Sequence, residues 1–372
     1  MSHLRAIFAG GGTGGHLFPA IAIADELHAI VPDAEILFVG TRDKLEARVV
    51  PQRGYKFRSI WISGFHRGLR VRNLLFPVKV VVSLMQARSI IRSFHPDVVV
   101  GTGGYVSGPV LRCAAALGVP TLIEEQNSYP GITTRMLAGR VDEVHLAFES
   151  SRKYFPESSN IYVSGNPTRS DLDGADASEG LSFFGFSIAE RRKTLLVVGG
   201  SLGAHSINEA VSGALGALVN EGFRILWQTG TEDFRSASEA AARISSRHVC
   251  AREFIDRMDL AYAAADLVVC RAGATTIAEL TRLGKPALLI PYPFAAANHQ
   301  VENARALVSA GAAEMISDQE IAQRLLPVVR ELFDGGRLGE MSEKSRELGK
   351  PGAAKTIAQH AIDLGSRKGA GS

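Results

Sequence analysis

Residues 5–16 read RAIFAGGGTGGH and residues 195–210 read LLVVGGSLGAHSINEA, each an apolar run that ends in clustered glycines and opens into a helical pattern. A run without polar alternation suits a parallel strand covered on both faces. Glycines at its end let the backbone approach a ligand, beside the free N–H groups of a helix start. The same unit met twice in one chain predicts one plan used twice.

The neighbouring sequence extends both copies. Strand candidates in the first series are residues 4–10, 35–40, 97–104, 120–125, 143–148 and 161–166; in the second they are 193–201, 223–230, 267–273 and 286–293. Alanine- and leucine-rich stretches at helical spacing alternate with them, which predicts an α/β doubly wound fold. With 372 residues the chain exceeds one hydrophobic core, so two domains are expected. The Asp-, Ser- and Gly-rich segment 167–193 lacks strand periodicity and places the boundary near residue 166. The expected domains are 1–165 and 166–345, followed by a terminal segment, 346–372, in which Pro351 and Gly352 break one helix from another that packs back on the first domain before a frayed tail.

Composition narrows the function classes. A formal net charge of +3 is too small to argue for nucleic acid, yet it tolerates anionic ligands or an anionic membrane surface. Cys113, Cys250 and Cys270 stand far apart without metal-ligand spacing, as in a reducing compartment, and no metal or cofactor is expected. A glycine loop within ten residues of Met1 leaves no room for a secretory signal, and no apolar run reaches the length of a membrane-spanning helix. The expected location is the cytoplasm, with any membrane contact peripheral.

The first glycine loop formally fits GxGxxG, but a dinucleotide site wants an acid at the end of the second strand, where this chain has Gly40. The phosphate-loop pattern fails too, because His16 stands where lysine is needed. Further loops follow strands at 101–109 (GTGGYVSGP), 199–208 (GGSLGAHSIN), 270–280 (CRAGATTIAEL) and 291–304 (PYPFAAANHQVENA). In the third of these the threonines are placed to cap a helix, and Glu279, four residues past Thr275, to accept from ribose hydroxyls or simply to be solvated.

GGGTGGHLFPAIAIADEL, GTGGYVSGP, EEQNSYPG, SGNPTR, VVGGSLGAHSIN, EFIDRM, CRAGATTIAEL and HQVEN occur in that order over nearly the whole chain. Together they resemble the MurG family of glycosyltransferases. The resemblance implies the GT-B fold, two Rossmann-like doubly wound domains facing across a cleft, and inverting transfer of N-acetylglucosamine from UDP-N-acetylglucosamine to lipid I, giving lipid II for peptidoglycan. It implies work at the cytoplasmic face of the inner membrane, and contacts with cell-wall synthesis and division proteins. Carried over by position, Thr13, Gly14, Gly15, Asn127, Arg169, Ser201, Ile255, Ala274, Thr275, Thr276, Ile277, Ala278, Glu279 and Gln300 would line the donor site. Relatives often have His-Glu-Gln-Asn where this chain has Glu124, Glu125, Gln126 and Asn127, so no histidine role carries over there.

Inverting transfer needs a base for the acceptor hydroxyl and a holder for the leaving diphosphate. His16 is the first candidate base, its alternative being a loop cap or phosphate ligand, and Glu125 competes for the role. Backbone N–H groups of the GTGGYVSGP loop, at Gly103, Gly104, Tyr105 and Ser107, are expected to hold the acceptor's diphosphate. The stretch 64–96 mixes Arg67, Arg70, Arg72 and Lys79 with apolar residues and has no acid before Asp97; residues 67–79 are expected to meet an anionic membrane, and those beyond about 80 to be buried. Asp171-Leu172-Asp173 resembles a glycosyltransferase metal motif but is not read as one, since it falls between the domains. The alternatives are a UDP-N-acetylglucosamine 2-epimerase, a non-catalytic nucleotide-sugar module and, disfavoured by Gly40, an NAD-dependent oxidoreductase.

Overall fold

The computed structural model of the chain describes residues 4–64, 75–200, 203–244, 247–295 and 298–369. The chain divides into two compact units, the first made of Met1–Arg169 with Lys350–Ser372, the second of Ser170–Gly349. The crossings fall four residues beyond the expected 165 and 345. Gly165 still donates to Leu146 O at 3.1 Å, which keeps SGNPTR on the first unit.

In the first unit β1 (Arg5–Ala9), α1 (Gly14–Ile30), β2 (Glu35–Gly40), α2 (Leu45–Gln52) and β3 (Lys56–Ser59) are followed by α3 (Phe76–Phe94), β4 (Val98–Gly101) and α4 (Gly104–Ala116). Then come β5 (Thr121–Glu125), α5 (Ile132–Leu137), β6 (Glu143–Leu146) and β7 (Ile161–Tyr162). All pair in parallel, in the order β3-β2-β1-β4-β5-β6-β7. Alternate residues of one strand feed opposite faces: Ile7 and Ala9 join one core, Ala6 and Phe8 the other. That two-sided burial is why the strands read as unbroken apolar runs.

The second unit runs α6 (Ala177–Phe183), β8 (Lys193–Val198), α7 (His205–Asn220), β9 (Phe223–Gln228), α8 (Phe234–Ile244), β10 (Val249–Arg252) and α9 (Met258–Ala264). It continues with β11 (Leu267–Cys270), α10 (Ala274–Leu283), β12 (Ala287–Leu289), α11 (His299–Ser309), β13 (Ala313–Met315), α12 (Ile321–Asp334) and α13 (Leu338–Leu348). Its parallel sheet is ordered β10-β9-β8-β11-β12-β13. Counted within each unit, the second sheet reads 3-2-1-4-5-6 and the first the same with a seventh strand added at the edge, the doubly wound order whose reversal point opens a crevice at the carboxyl ends of the first and fourth strands. Those crevices lie at β1/β4 and β8/β11, where the glycine loops are.

After the break at Pro351 and Gly352, α14 (Ala353–Gly369) packs on α1 and β4 of the first unit, placing Ile357, Ala358, Ala361 and Leu364 in the core with Ala6 and Phe8. Glu143 Oε2 also holds it, accepting from His360 Nδ1 at 2.8 Å and His145 Nε2 at 3.1 Å. Ser164 Oγ stands 2.6 Å from the other nitrogen of His145, so this buried histidine is structural.

Candidate active site

In the first unit the chain leaves β1 through Gly10–Gly12 and enters α1 at Gly14, whose N-cap Thr13 makes no side-chain cap. The loop is nevertheless pinned. Glu46, buried in the first turn of α2, accepts from Gly12 N at 3.1 Å through one oxygen, and from Thr41 N and Oγ1 at 3.0 and 2.7 Å through the other. The acid missing from residue 40 is thus supplied six residues later, and it lies against the loop itself. A Cβ on Gly40 would come within 2.4 Å of Glu46 Cγ.

His16 sits in the first turn of α1, half-buried, with Nδ1 at 3.0 Å from both Thr102 O and Gln126 Oε1. Gly103 explains how the ring fits: at φ +91° it needs no side chain, and a Cβ there would lie 2.9 Å from His16 Nδ1. Gln126 Nε2 donates to Thr102 O at 2.8 Å and to Glu124 Oε2. Glu124 is completely buried. Burial pushes its carboxyl well above the usual carboxylate range, against the pull of the Gln126 hydrogen bond and with the adjacent Glu125 adding to the rise.

Several expected roles change here. Both Glu125 oxygens are engaged, one by Asn127 N and Nδ2 at 3.1 Å each and the other by Gly131 N at 2.9 Å, so this buried carboxylate organises the loop after β5. Asn127 is left to present its Oδ1. The Ser107 hydroxyl is spent within the fold: it is buried and within 2.6 Å of both Ala9 O and Gly103 O, holding α4 against β1. Gly103 and Gly104 make room for His16 and Gly11, while Tyr105 lies half-buried over Gly12, its phenol raised by burial and then by Glu46. Arg169 ends the first unit's run.

In the second unit Ser201 lies outside the described residues, but the rest of its loop is held differently from the first. Gln228 Nε2 donates to Gly200 O at 3.0 Å, and Gly203, at φ +83°, passes so close to β9 that a Cβ would lie 2.1 Å from Thr229 O. The other end of the Gln228 amide accepts from Ile255 N at 2.9 Å. The Ile255 N–H is therefore spent and its side chain is core, which leaves its carbonyl to meet a base.

The threonines do not cap α10. Its N-cap is Gly273, without a side-chain cap, and Thr275 Oγ1 is buried with no hydrogen-bond partner among the described residues. An uncapped helix start beside an orphaned hydroxyl suits an anionic oxygen. Ala274 and Ile277 face the core, whereas Thr275, Thr276, Ala278 and Glu279 are half-buried. The hydroxyl of buried Tyr262 donates to Glu279 Oε2 at 2.8 Å, fixing the carboxylate on one side. Gln300 Oε1 accepts from Tyr292 N at 2.9 Å, so its Nε2 is the end offered outward. Asp173 pairs with Arg282, its carboxyl held low chiefly by that hydrogen bond. Glu46, Gln126, Gln228 and Tyr262 were not identified from sequence; only the amide of EEQN stood inside a recognised motif.

Outside these loops, α3 departs from its expected burial. Ser83, Ala87, Ile91 and Phe94 face inward, but Val81 is 57% and Met85 68% exposed, in line with exposed Leu75 and Val78. Lys79 donates to Ser63 Oγ at 2.9 Å and lies over the Trp61 ring at 5.6 Å. Residues 67–74 of the expected membrane-facing stretch lie outside the described residues. Among the described residues no helix is long and apolar enough to cross a membrane.

Residues 6–146 match the glycosyltransferase family 28 N-terminal domain and residues 194–357 its C-terminal domain. A protein of Chlorobaculum parvum is 48% identical over 367 residues, covering 97% of this chain and 99% of its own length. One of Christiangramia forsetii is 43% identical over 369 residues, covering 98% and 99%. Both are UDP-N-acetylglucosamine–N-acetylmuramyl-(pentapeptide) pyrophosphoryl-undecaprenol N-acetylglucosamine transferases. Among solved structures, MurG of Acinetobacter baumannii superposes with a TM-score of 0.75 at 28% identity, covering 97% of this chain and 99% of that one.

Proposed function

The chain belongs to glycosyltransferase family 28 and has the GT-B fold of paired Rossmann-like domains, and from that premise we propose that it moves N-acetylglucosamine from UDP-N-acetylglucosamine to the muramyl 4-hydroxyl of lipid I, giving lipid II. The observation that carries the assignment of parts is how each glycine loop is pinned. In the first unit the pin is a carboxylate that takes a loop N–H and adds negative charge. In the second it is an amide donor that takes a loop carbonyl. A nucleotide diphosphate therefore belongs with the second loop, the uncapped start of α10 and Thr275. Glu279, steadied by Tyr262, accepts from the ribose hydroxyls, and the Ile255 carbonyl accepts from the uracil N–H. Asn127 in the first unit and Gln300 in the second each keep an amide atom that suits sugar hydroxyls.

His16 is the base. With Nδ1 directed at Thr102 O, Nε2 carries the lone pair that takes the acceptor's proton as its oxygen attacks the anomeric carbon with inversion. The leaving diphosphate's charge is met by the helix-start N–H groups. Glu125, with both oxygens occupied, keeps the Asn127 loop in place. An epimerase would need neither an acceptor nor an outward apolar stripe on α3. The deciding assay is UDP release with and without a lipid I analogue: release requiring the analogue supports transfer, and equal release without it overturns the reading.

The same proposal places the enzyme peripherally at the cytoplasmic face of the inner membrane. Val78, Val81 and Met85 form the apolar stripe, and each nearby basic residue adds about 1 kcal/mol at an anionic surface. The double variant V81E/M85E should lose sedimentation with phosphatidylglycerol vesicles while turning over a water-soluble acceptor normally; unchanged sedimentation removes this surface from the account.

A further inference from the structure

One carbonyl dictates the chemistry of the His16 ring. Thr102 O lies 3.0 Å from His16 Nδ1 and 2.8 Å from Gln126 Nε2. A carbonyl oxygen only accepts, so both nitrogens face it as donors. The imidazole proton is thereby placed on Nδ1, and Gln126 Oε1 is turned toward that same N–H at 3.0 Å. A reversed amide would set its oxygen against Thr102 O and its NH₂ against the Nδ1 proton. Glu124 Oε2, at the far side, accepts from the same Gln126 Nε2, so the amide is anchored at its nitrogen and aimed by its oxygen. Glu124 and Gln126 are both buried, so water does not substitute for either contact.

When Nε2 takes a proton the ring becomes a cation, and its Nδ1–H bonds become charge-assisted. A bond stronger in the transition state than in the ground state lowers the barrier rather than tightening binding. Building on His16 as the base, we infer that Gln126 is a positioning residue for that base: it holds the ring with Nε2 unprotonated, steadies the imidazolium as it forms, and is itself held by the buried carboxyl of Glu124. The nucleotide-sugar and the acceptor are not touched by it. Its removal should act on kcat and leave the donor KM alone.

Two measurements on the full chain test this. In protein labelled with ¹⁵N-histidine, the long-range ¹H–¹⁵N spectrum, assigned by the signal lost in H16A, should show His16 protonated at Nδ1 and bare at Nε2. A ring protonated at Nε2 overturns the proposal without any variant having to fold. In the UDP-release assay Q126M should lose about 10- to 100-fold in kcat while its KM for UDP-N-acetylglucosamine stays within about twofold. E124M should lose in the same direction, with E124Q, which keeps an acceptor for Gln126 Nε2, recovering most of that loss. A Q126M enzyme with wild-type kcat, or with only KM raised, overturns the proposal. Full activity of H16A would instead remove the base reading itself, so the two failures appear in different proteins.

Discussion

The two units share one strand order and one loop plan, yet their loops are fixed by opposite chemistry. Glu46 secures the first by accepting from Gly12 N–H, whereas Gln228 secures the second by donating to Gly200 O. The first arrangement consumes a donor and leaves an imidazole, a phenol and three buried carboxyl groups, of Glu46, Glu124 and Glu125, around the crevice. The second leaves N–H groups, amides and one tethered carboxylate. On the proposed roles, a duplicated fold separates proton transfer from nucleotide recognition through the side chain that steadies each loop, while the backbone plan stays the same.

If the labour is divided this way, variants of the two units should separate in kinetics. The largest effect belongs to the first: H16A should lower kcat by about 10²- to 10⁴-fold with little change in the donor KM. A loss confined to KM would break the division. In the second unit E279A should raise the KM for UDP-N-acetylglucosamine by about 10- to 100-fold, the equivalent of about 1.5–3 kcal/mol for a charged hydrogen bond. Y262F, which removes that hydrogen bond and keeps the carboxylate, should raise KM only a few-fold. Steady-state UDP release checks all three, and a kcat effect from either second-unit variant would blur the comparison.

The smallest effect distinguishes the units by pH. Burial holds His145 below its ordinary 6.5, and Glu143, which burial alone would raise, is held below 4.5 by its bonds to His145 and His360. Both folded values are depressed, so their stabilisation is present above 6.5 and 4.5 and is lost as pH falls. His205 in the second unit is raised instead, by its hydrogen bond to Asp233; its contribution is full below 6.5 and lost as pH rises through the higher folded value, and it is small because the ring is 72% exposed. Hydrogen exchange, corrected for intrinsic rates, should show α14 losing protection from pH 7.5 to 5.5 while the start of α7 does not. Equal losses in both helices would refute the assignment.

What the sequence revealed followed burial. Strands covered on both faces, such as β1 and β8, were legible because their neighbours force continuous apolar runs. The missed strands β3, β10 and β13 are all edge strands, where one flank is open and residues such as Lys56, Arg58 and Arg252 are allowed. The site divides in the same manner. Glycine loops announce themselves locally, but Glu46 satisfies a loop 34 residues away, Gln126 a histidine 110 away and Tyr262 a carboxylate 17 away. Side chains recruited across the fold leave no spacing to read. The Ser107 hydroxyl is the converse case: it stands in a glycine-rich stretch, yet it braces α4 against β1.

The helix α14 closes the first unit from the far end of the chain. Ile357, Ala358, Ala361 and Leu364 cover Ala6 and Phe8, residues made some 350 positions earlier. During synthesis the second unit, continuous from Ser170 to Gly349, has all its parts before the ribosome reaches that helix. The first unit is begun first and completed last. Until α14 has been made, a sheet face built to be dry stays wet, the kind of transiently exposed apolar surface that chaperones exist to shield.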